Sequence, residues 1–129
     1  RRLSWFHAAL LSVVLGYFSF GLLGFTPTVI NGISMEPGMH TGDVVITRDV
    51  DPHEIEVGDV IRFRRGNGSV VHRVIEVRIG ADGEPEFVTQ GDNNPAPDSP
   101  VRADDVVGVF AFRIPKVGWP IYWIRSVLS

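Results

Sequence analysis

The stretch V-I-R-F-R-R-G-N-G-S-V-V-H-R-V-I-E-V-R, residues 60–78, decides how the chain folds. Two runs rich in Val and Ile, Val60–Arg64 and Ser69–Arg78, flank a short Gly-Asn turn signal. Branched side chains favour extended strands, and such a turn between two of them is typical of a β-hairpin. These residues therefore predict two antiparallel neighbours in a β-sheet.

Further short β-branched runs lie on both sides of this hairpin, separated by segments rich in Gly, Asp, Asn and Pro. Turn-forming residues of this kind mark the ends of strands, and sustained helical periodicity is absent from the sequence between 26 and 114. The chain is therefore predicted to be mainly β, with an antiparallel domain at 26–114. The additional predicted strands are Thr28–Ile30, Val44–Thr47, Glu86–Thr89 and Val106–Phe112.

The N-terminal segment Leu3–Phe25 contains 23 residues without Lys, Arg, Asp or Glu. As a helix it would be about 35 Å long at ~1.5 Å per residue, enough to cross a hydrocarbon core of roughly 30 Å. Arg1 and Arg2 precede it, so the positive-inside rule puts the β domain on the extracytoplasmic side. Residues 1–25 are predicted to be a transmembrane anchor in the cell membrane or the endoplasmic-reticulum membrane. A cleavable signal peptide and a buried soluble helix are the alternatives.

The C-terminal segment, residues 115–129, is apolar and aromatic, with Trp119, Tyr122 and Trp123 between two basic residues. This composition is typical of a membrane interface. We expect an interfacial segment or the start of a second membrane helix, the alternative being an apolar edge that packs on the β domain.

The composition excludes several functions. The chain has no Cys, which rules out disulfides, a thiol nucleophile and a cysteine-ligated metal. From Thr26 onward 10 Lys and Arg residues face 15 Asp and Glu residues without a basic stripe, so no nucleic-acid partner is expected. Lys116 is the only lysine among 12 basic residues, which argues against a lysine general base.

A serine nucleophile needs a base to remove its proton, and histidine is the base that this composition offers. His40 and His53 lie in turn-rich segments, whereas His72 lies within a predicted strand. A strand holds an imidazole rigidly and partly desolvates it, which suits a neutral general base. The alternative is a purely structural histidine.

The segment G-D-N-N-P-A-P-D-S-P, residues 91–100, offers Asp92 and Asp98 as the acid that would orient such an imidazole. A tight polar loop is the alternative, because Gly, Asp, Asn and Pro are turn formers. A calcium site usually needs six or more oxygen ligands, so two carboxylates predict no metal here.

Four motifs carry a resemblance to a known family. In chain order, S-M-E-P (34–37), G-D-V-V (42–45), V-H-R-V (71–74) and G-D-N-N (91–94) resemble type I signal peptidases of the endoplasmic-reticulum type. That group occurs in eukaryotes, archaea and some Gram-positive bacteria, and the resemblance covers nearly the whole chain. It implies an antiparallel β-sheet catalytic domain of signal-peptidase type on an N-terminal transmembrane helix.

The resemblance also implies the chemistry. Ser34 would be the nucleophile, His72 the general base, Asp98 the orienting acid and Asp92 a supporting residue, with no metal or cofactor. Bacterial-type relatives use lysine at the position matching His72. The implied activity is that of a membrane-bound serine endopeptidase that removes signal peptides, cutting after small residues through an acyl-enzyme.

The chain departs from the family's pattern directly before the nucleophile. Relatives commonly read S-G-S-M-E-P, whereas this chain reads G-I-S-M-E-P from Gly32 to Pro37. A hydroxyl at the first of these positions helps to bind the oxyanion in many relatives, and Gly32 has none. The oxyanion site is therefore expected to rest on backbone N–H groups, chiefly that of Ser34.

A signal peptide would bind as an extended strand beside an exposed edge, expected here at Thr28–Ile33. The predicted partners are signal peptides of secreted precursors, membrane lipid and a secretion translocon. Two other interpretations are a tethered serine peptidase that cuts itself or one dedicated substrate, and a non-enzymatic membrane-anchored scaffold. The predicted pocket walls are Val29, Ile30, Val44, Val45 and Ile46.

Overall fold

A computed structural model describes residues 4–115, which contain one long helix followed by seven strands in a single sheet. The predicted membrane-interface segment lies outside the described residues, apart from residue 115. The helix α1 spans Trp5–Leu22. The strands are β1 Phe25–Val29, β2 Val44–Arg48, β3 Val60–Arg65, β4 Gly68–Ile79, β5 Pro85–Gln90, β6 Val101–Arg102 and β7 Val106–Ile114.

The helix α1 begins after Ser4, whose hydroxyl caps the first turn by accepting from the His7 N–H. None of its 18 side chains is buried by the rest of residues 4–115. Its length is about 27 Å at ~1.5 Å per residue. Such a helix is long and apolar enough to cross a membrane.

The junction between α1 and β1 is defined by a glycine. Gly24 has φ +80°, a conformation that favours glycine and ends the helix. The Phe25 ring then stacks on Phe20 with centroids 4.9 Å apart, and the Asp49 N–H donates to the Gly24 carbonyl at 2.7 Å. Phe25, predicted as the last residue of the anchor, is therefore the first residue of the sheet.

All neighbouring strands in the described sheet are antiparallel, in the order β1-β2-β7-β3-β4-β5-β6. The six predicted strands are confirmed as β1 to β5 and β7, and the predicted Gly-Asn turn joins β3 to β4. The sequence prediction missed β6, which has only two residues. It also missed two short 3₁₀ turns, Pro52–Glu54 and Ala103–Asp105.

Buried side chains form two apolar clusters. Adjacent residues of a strand point to opposite faces, so Val60 and Ile61 of β3 belong to different clusters. The first cluster includes Ile61, Phe63 and Phe87, and the second includes Val45, Val71 and Met35. The loop after β1 is therefore anchored to the sheet by one of its own side chains.

One half of β4 has a strand neighbour on one side alone. β3 pairs with β4 over residues 68–73, whereas β5 pairs with it only from Arg73 onward. Within the described part of the chain, residues 68–72 thus present a free strand edge. The outer side of β1 is also free, because β1 is the first strand of the sheet.

Candidate active site

Ser34 lies in the loop between β1 and β2, which folds back on the turn before β2. The Ile30 N–H donates to the Asp43 carbonyl at 2.8 Å. The Thr41 hydroxyl accepts from the Gly32 N–H at 3.1 Å and donates to the Gly32 carbonyl at 3.0 Å. These contacts fix the chain two residues before the serine.

The residue after Ser34 fixes the loop from the other side. Met35 is 3% exposed and packs in the second apolar cluster against Val45 and Val71. Burial of a side chain of this size stabilises the loop by about 1.5–3 kcal/mol relative to leaving it exposed. Ser34 itself is half-buried, so its hydroxyl has a defined position and still meets solvent.

His72 lies in β4 opposite Ile61 of β3 and is 7% exposed. The edge of the Phe63 ring contacts its imidazole, with centroids 6.2 Å apart. Strand pairing and this aromatic contact leave the imidazole little freedom to rotate. The prediction that His72 is held in a strand and partly desolvated is confirmed.

Three side chains that are distant in sequence form one hydrogen-bonded chain. Ser34 Oγ lies 3.0 Å from His72 Nε2, and His72 Nδ1 lies 2.6 Å from Asp98 Oδ2. The Thr89 hydroxyl donates to the same carboxylate oxygen at 2.8 Å, and the Asp98 N–H donates to the Thr89 carbonyl at 2.8 Å. One strand, β4, and two loops, those that follow β1 and β5, thereby bring the imidazole, the serine and the carboxylate together.

This arrangement has a defined chemical capacity. A neutral imidazole that donates its Nδ1 proton to a carboxylate presents a free electron pair at Nε2. At hydrogen-bond distance from a hydroxyl, that electron pair can take the hydroxyl proton and so create a nucleophile. The carboxylate keeps the imidazole in the required tautomer and stabilises its protonated form.

Asp92, the second predicted acid, has a different partner. Arg73 donates to both of its carboxylate oxygens, from Nε at 2.9 Å and from Nη2 at 2.8 Å, and also to the Gly58 carbonyl. These hydrogen bonds lower the pKa of the Asp92 carboxyl below its ordinary value of 3.8. They also raise the pKa of Arg73. Asp92 therefore ties its loop to β4, and Asp98 is the acid in contact with His72.

The loop that carries both acids packs directly on the backbone of Ser34. A Cβ at Gly91 would lie 2.6 Å from the Ser34 carbonyl oxygen, so no side chain larger than that of glycine fits this contact. The Asn93 N–H donates to the Ser34 carbonyl at 2.8 Å. The Asn93 side chain donates from Nδ2 to the Ile33 carbonyl at 3.1 Å.

A cavity of about 280 Å³ opens beside Ser34 and His72. One wall is the end of β1 and the loop after it, residues 28–32, and the opposite wall is residues 69–72 of β4. Each wall includes part of a strand with a free edge, β1 on one side and β4 on the other, so an extended peptide between them can pair with either strand. Apolar residues in the lining include Val29, Ile30, Met35, Val70 and Val71.

The predicted pocket residues divide into two groups. Val29 and Ile30 line the cavity, whereas Val44, Val45 and Ile46 of β2 are not part of its lining. Val45 and Ile46 are buried in the protein, and half-buried Val44 pairs with Val29 across the strands. They belong to β2, which lies between β1 and β7 in the sheet, whereas the cavity is lined by β1 and the loop after it.

Several residues of the site were missed from the sequence. Met35 follows Ser34 in the motif S-M-E-P, and Val70 and Val71 precede His72 in V-V-H-R. Their position next to predicted catalytic residues was a signal that they could belong to the site. Asn93 belongs to G-D-N-N and offered the same kind of signal. Thr89 had none, because its contact with Asp98 depends on how the loop folds back.

A serine, an imidazole and a carboxylate in one hydrogen-bonded chain, open to a cleft, form the arrangement found in serine hydrolases. The family described as signal peptidase, peptidase S26, matches residues 2–83, a range that includes Ser34 and His72. The chain belongs to this family.

Individual relatives are similar over most of the chain. It is 35% identical to Signal peptidase I W of Bacillus subtilis (strain 168) over 98 residues, covering 73% of this chain and 51% of the relative. It is 33% identical to the signal peptidase complex catalytic subunit SEC11C of Homo sapiens over 100 residues, covering 70% and 52%. For the catalytic subunit SEC11 of Zygosaccharomyces rouxii the identity is 30% over 109 residues, covering 76% and 64%. The chain thus spans about half the length of the first two relatives.

Proposed function

We propose that this protein is a membrane-anchored serine endopeptidase that removes signal peptides from exported proteins. The observation that carries the proposal is the hydrogen-bonded chain from Ser34 through His72 to Asp98 at the edge of a cleft. Membership of the signal peptidase family supports the substrate class. The names of the matched relatives support it as well.

In this mechanism Ser34 Oγ attacks the scissile carbonyl carbon while His72 Nε2 takes the hydroxyl proton. The electron pair of the C=O bond moves to oxygen and forms an oxyanion. As the intermediate collapses, the C–N bond breaks, and the imidazolium gives its proton to the leaving amine. Water, deprotonated by the same imidazole, then hydrolyses the ester on Ser34. Throughout the reaction the Asp98 carboxylate accepts a hydrogen bond from His72 Nδ1–H, and the Thr89 hydroxyl donates to the same carboxylate.

The oxyanion is stabilised in this proposal by the backbone N–H of Ser34, which has no acceptor among residues 4–115. Gly32 contributes no side chain, and its φ of +129° strains any residue other than glycine. A Cβ there would meet nothing within 4 Å, so conformation and not space keeps glycine at this position. At this position the chain has glycine, whereas the common family pattern has a residue with a hydroxyl group.

The substrate is proposed to lie between the free edges of β1 and β4 as an added strand. Backbone hydrogen bonds would hold it, and alternate side chains would enter the apolar lining beside Val29 and Ile30. Val44, Val45 and Ile46 would support that wall from behind. Small residues before the cut are proposed on the basis of the signal peptidase family to which the chain belongs.

The proposed location is supported by α1. An apolar helix with exposed side chains is stable in lipid, and it joins the sheet directly at Phe25. We place the protein in the cell membrane or the endoplasmic-reticulum membrane, with the sheet on the extracytoplasmic side because Arg1 and Arg2 precede the helix. Membrane lipid and a secretion translocon that delivers precursors are the proposed partners.

The test is processing of a secreted precursor by the purified full chain in liposomes, read by N-terminal sequencing of the product. The wild type should release a product that starts directly after a small residue, and Ser34→Ala should release none. Replacing the base by His72→Lys in the same assay asks whether the site accepts the bacterial-type base. Normal processing by Ser34→Ala would exclude the proposed function.

A further inference from the structure

Asn93, in the loop 91–94, donates hydrogen bonds to the carbonyl of Ile33 and to the carbonyl of Ser34. The Ser34 carbonyl accepts from the Asn93 backbone N–H at 2.8 Å. The Ile33 carbonyl accepts from Asn93 Nδ2 at 3.1 Å and from the Glu36 N–H at 3.1 Å. Asn93 therefore contacts both peptide units that flank the Ser34 Cα.

The Ile33 carbonyl and the Ser34 N–H belong to the same peptide plane. This bond is trans, since Glu36–Pro37 is the only cis peptide bond within residues 4–115. In a planar trans peptide the C=O and the N–H point in opposite directions. A donor that fixes the Ile33 carbonyl therefore also fixes the direction of the Ser34 N–H.

The direction of this N–H matters because an oxyanion donor works by being aimed before the charge develops. Glu36, which also donates to Ile33, does so through its backbone within the same loop and moves with it. Asn93 donates from a different loop, which the Arg73–Asp92 ion pair ties to β4. It is therefore one of the links between the segment that carries the oxyanion donor and the strand that carries His72, and the one that contacts the Ile33 carbonyl from another loop.

We infer that Asn93 is a positioning residue, whose side-chain amide aims the Ser34 N–H at the oxyanion. The inference rests on the proposed function, and it assigns to Asn93 an effect on the rate of peptide-bond cleavage. It gains weight from Gly32, which supplies no hydroxyl, so the aim of one backbone donor matters more in this chain. Asn93 is not among the residues that line the cavity, and it contacts the backbone of Ser34 but not its hydroxyl.

Two variants test the inference in the full chain in detergent. Asn93→Ala removes the donor to Ile33 and leaves the backbone N–H of residue 93 in place. Asn93→Asp keeps the shape and sets a carboxylate oxygen against the Ile33 carbonyl. Asn67→Ala, at an exposed residue in the turn between β3 and β4 that does not line the cavity, is the matched control.

We expect Asn93→Ala to lower kcat about tenfold, less than the roughly 10²–10³-fold cost of losing an oxyanion donor outright. Asn93→Asp should lower it at least as much. KM should stay within about twofold, because the ground-state carbonyl uses this donor little. Asn67→Ala should match the wild type.

A peptide aldehyde with a signal-peptide sequence separates aiming from general damage to the fold. Its carbonyl carbon bonds to Ser34 Oγ, and the oxygen occupies the oxyanion position, so its affinity should fall by the same factor as kcat. A noncovalent peptide of the same sequence should bind to the single variant Ser34→Ala and to the double variant Ser34→Ala with Asn93→Ala with equal affinity.

Unchanged kcat and aldehyde affinity in both Asn93 variants would overturn the inference. So would a kcat loss without loss of aldehyde affinity, or one matched by weaker binding of the noncovalent peptide. Ser34→Ala separates this failure from that of the proposed function. If Ser34→Ala is inactive and the Asn93 variants resemble the wild type, only the positioning role is wrong; if Ser34→Ala is active, the proposed function itself is wrong.

Discussion

Two histidines of this protein are each hydrogen-bonded to an aspartate, in two different regions. His72 Nδ1 lies 2.6 Å from Asp98, with side chains 8% and 17% exposed. His53 Nδ1 lies 2.9 Å from Asp51, with side chains 61% and 59% exposed. The bond lengths differ little, but the second ring nitrogen meets a different group in each region. His72 Nε2 faces the Ser34 hydroxyl, and His53 Nε2 faces the Glu84 carboxylate at 3.2 Å.

The comparison shows that a hydrogen-bonded His–Asp pair does not by itself make a catalytic site. His53 shares its protons between two carboxylates in water, so it has no group to activate. His72 has a hydroxyl at its free nitrogen, an aromatic edge against its ring and a cleft beside it. Burial and the identity of the second partner give the same pair of residue types a different chemistry.

The largest expected effect comes from removing each imidazole. His72→Ala should lower kcat/KM for precursor cleavage by about 10⁴-fold or more, as loss of the base does in serine hydrolases. His53→Ala should leave cleavage within about twofold, since exposed substitutions away from a site change little. Comparable losses in both variants would break the distinction between the two regions.

Removing each carboxylate gives the next effect. Asp98→Asn presents an amide to His72 Nδ1 and favours the tautomer whose Nε2 carries the proton, so cleavage should fall by roughly 10²–10⁴-fold. Asp51→Asn is the matched control and should cleave like the wild type. A steady-state assay on a fluorogenic signal-peptide substrate measures both, and equal rates for the two variants would contradict the role of Asp98.

Thr89→Val tests whether support behind the carboxylate matters. Thr89 is fully buried and donates to Asp98, and valine keeps its shape while removing the donor. Cleavage should fall by about tenfold, because a misplaced orienting group still functions in part. The conservative variant Thr89→Ser should recover most of the rate, and failure of that recovery would assign the loss to packing.

The smallest effect concerns the exposed pair and depends on pH. Hydrogen bonding to Asp51 raises the pKa of His53 above its ordinary value of 6.5. A raised pKa in the folded state stabilises the fold below the unfolded pKa, and this contribution is lost as pH rises through the folded value. His53→Gln should therefore lower the urea midpoint slightly near about pH 5 and leave it unchanged near about pH 9. The reverse order would contradict the sign.

The fold was largely predictable because runs of β-branched residues between turn-forming segments mark strands of five or more residues. Six of the strands follow this pattern, and Val101–Arg102 is too short to show any pattern. The residues that form the Ser34–His72–Asp98 chain were also named from the sequence, since Ser34 and His72 lie in family-like motifs and Asp98 follows the G-D-N-N motif.

Other parts of the site depend on contacts that the order of residues does not reveal. Asp92 and Asp98 lie in one loop. Arg73, the residue after His72, forms an ion pair with Asp92, and Asp98 is the acid that contacts His72. The cavity wall at residues 69–72 exists because β5 starts to pair with β4 only at Arg73. Neither fact can be read from composition or periodicity.

The most direct test of the account is to trap the acyl-enzyme. The full chain in detergent is mixed with a precursor, quenched in acid within one turnover, digested and examined by mass spectrometry. If Ser34 is the nucleophile, the peptide containing Ser34 gains the mass of the substrate's N-terminal fragment less one water, as an ester, and this adduct is absent in Ser34→Ala. Cleavage that proceeds with an adduct on another residue, or that persists in Ser34→Ala, would contradict it.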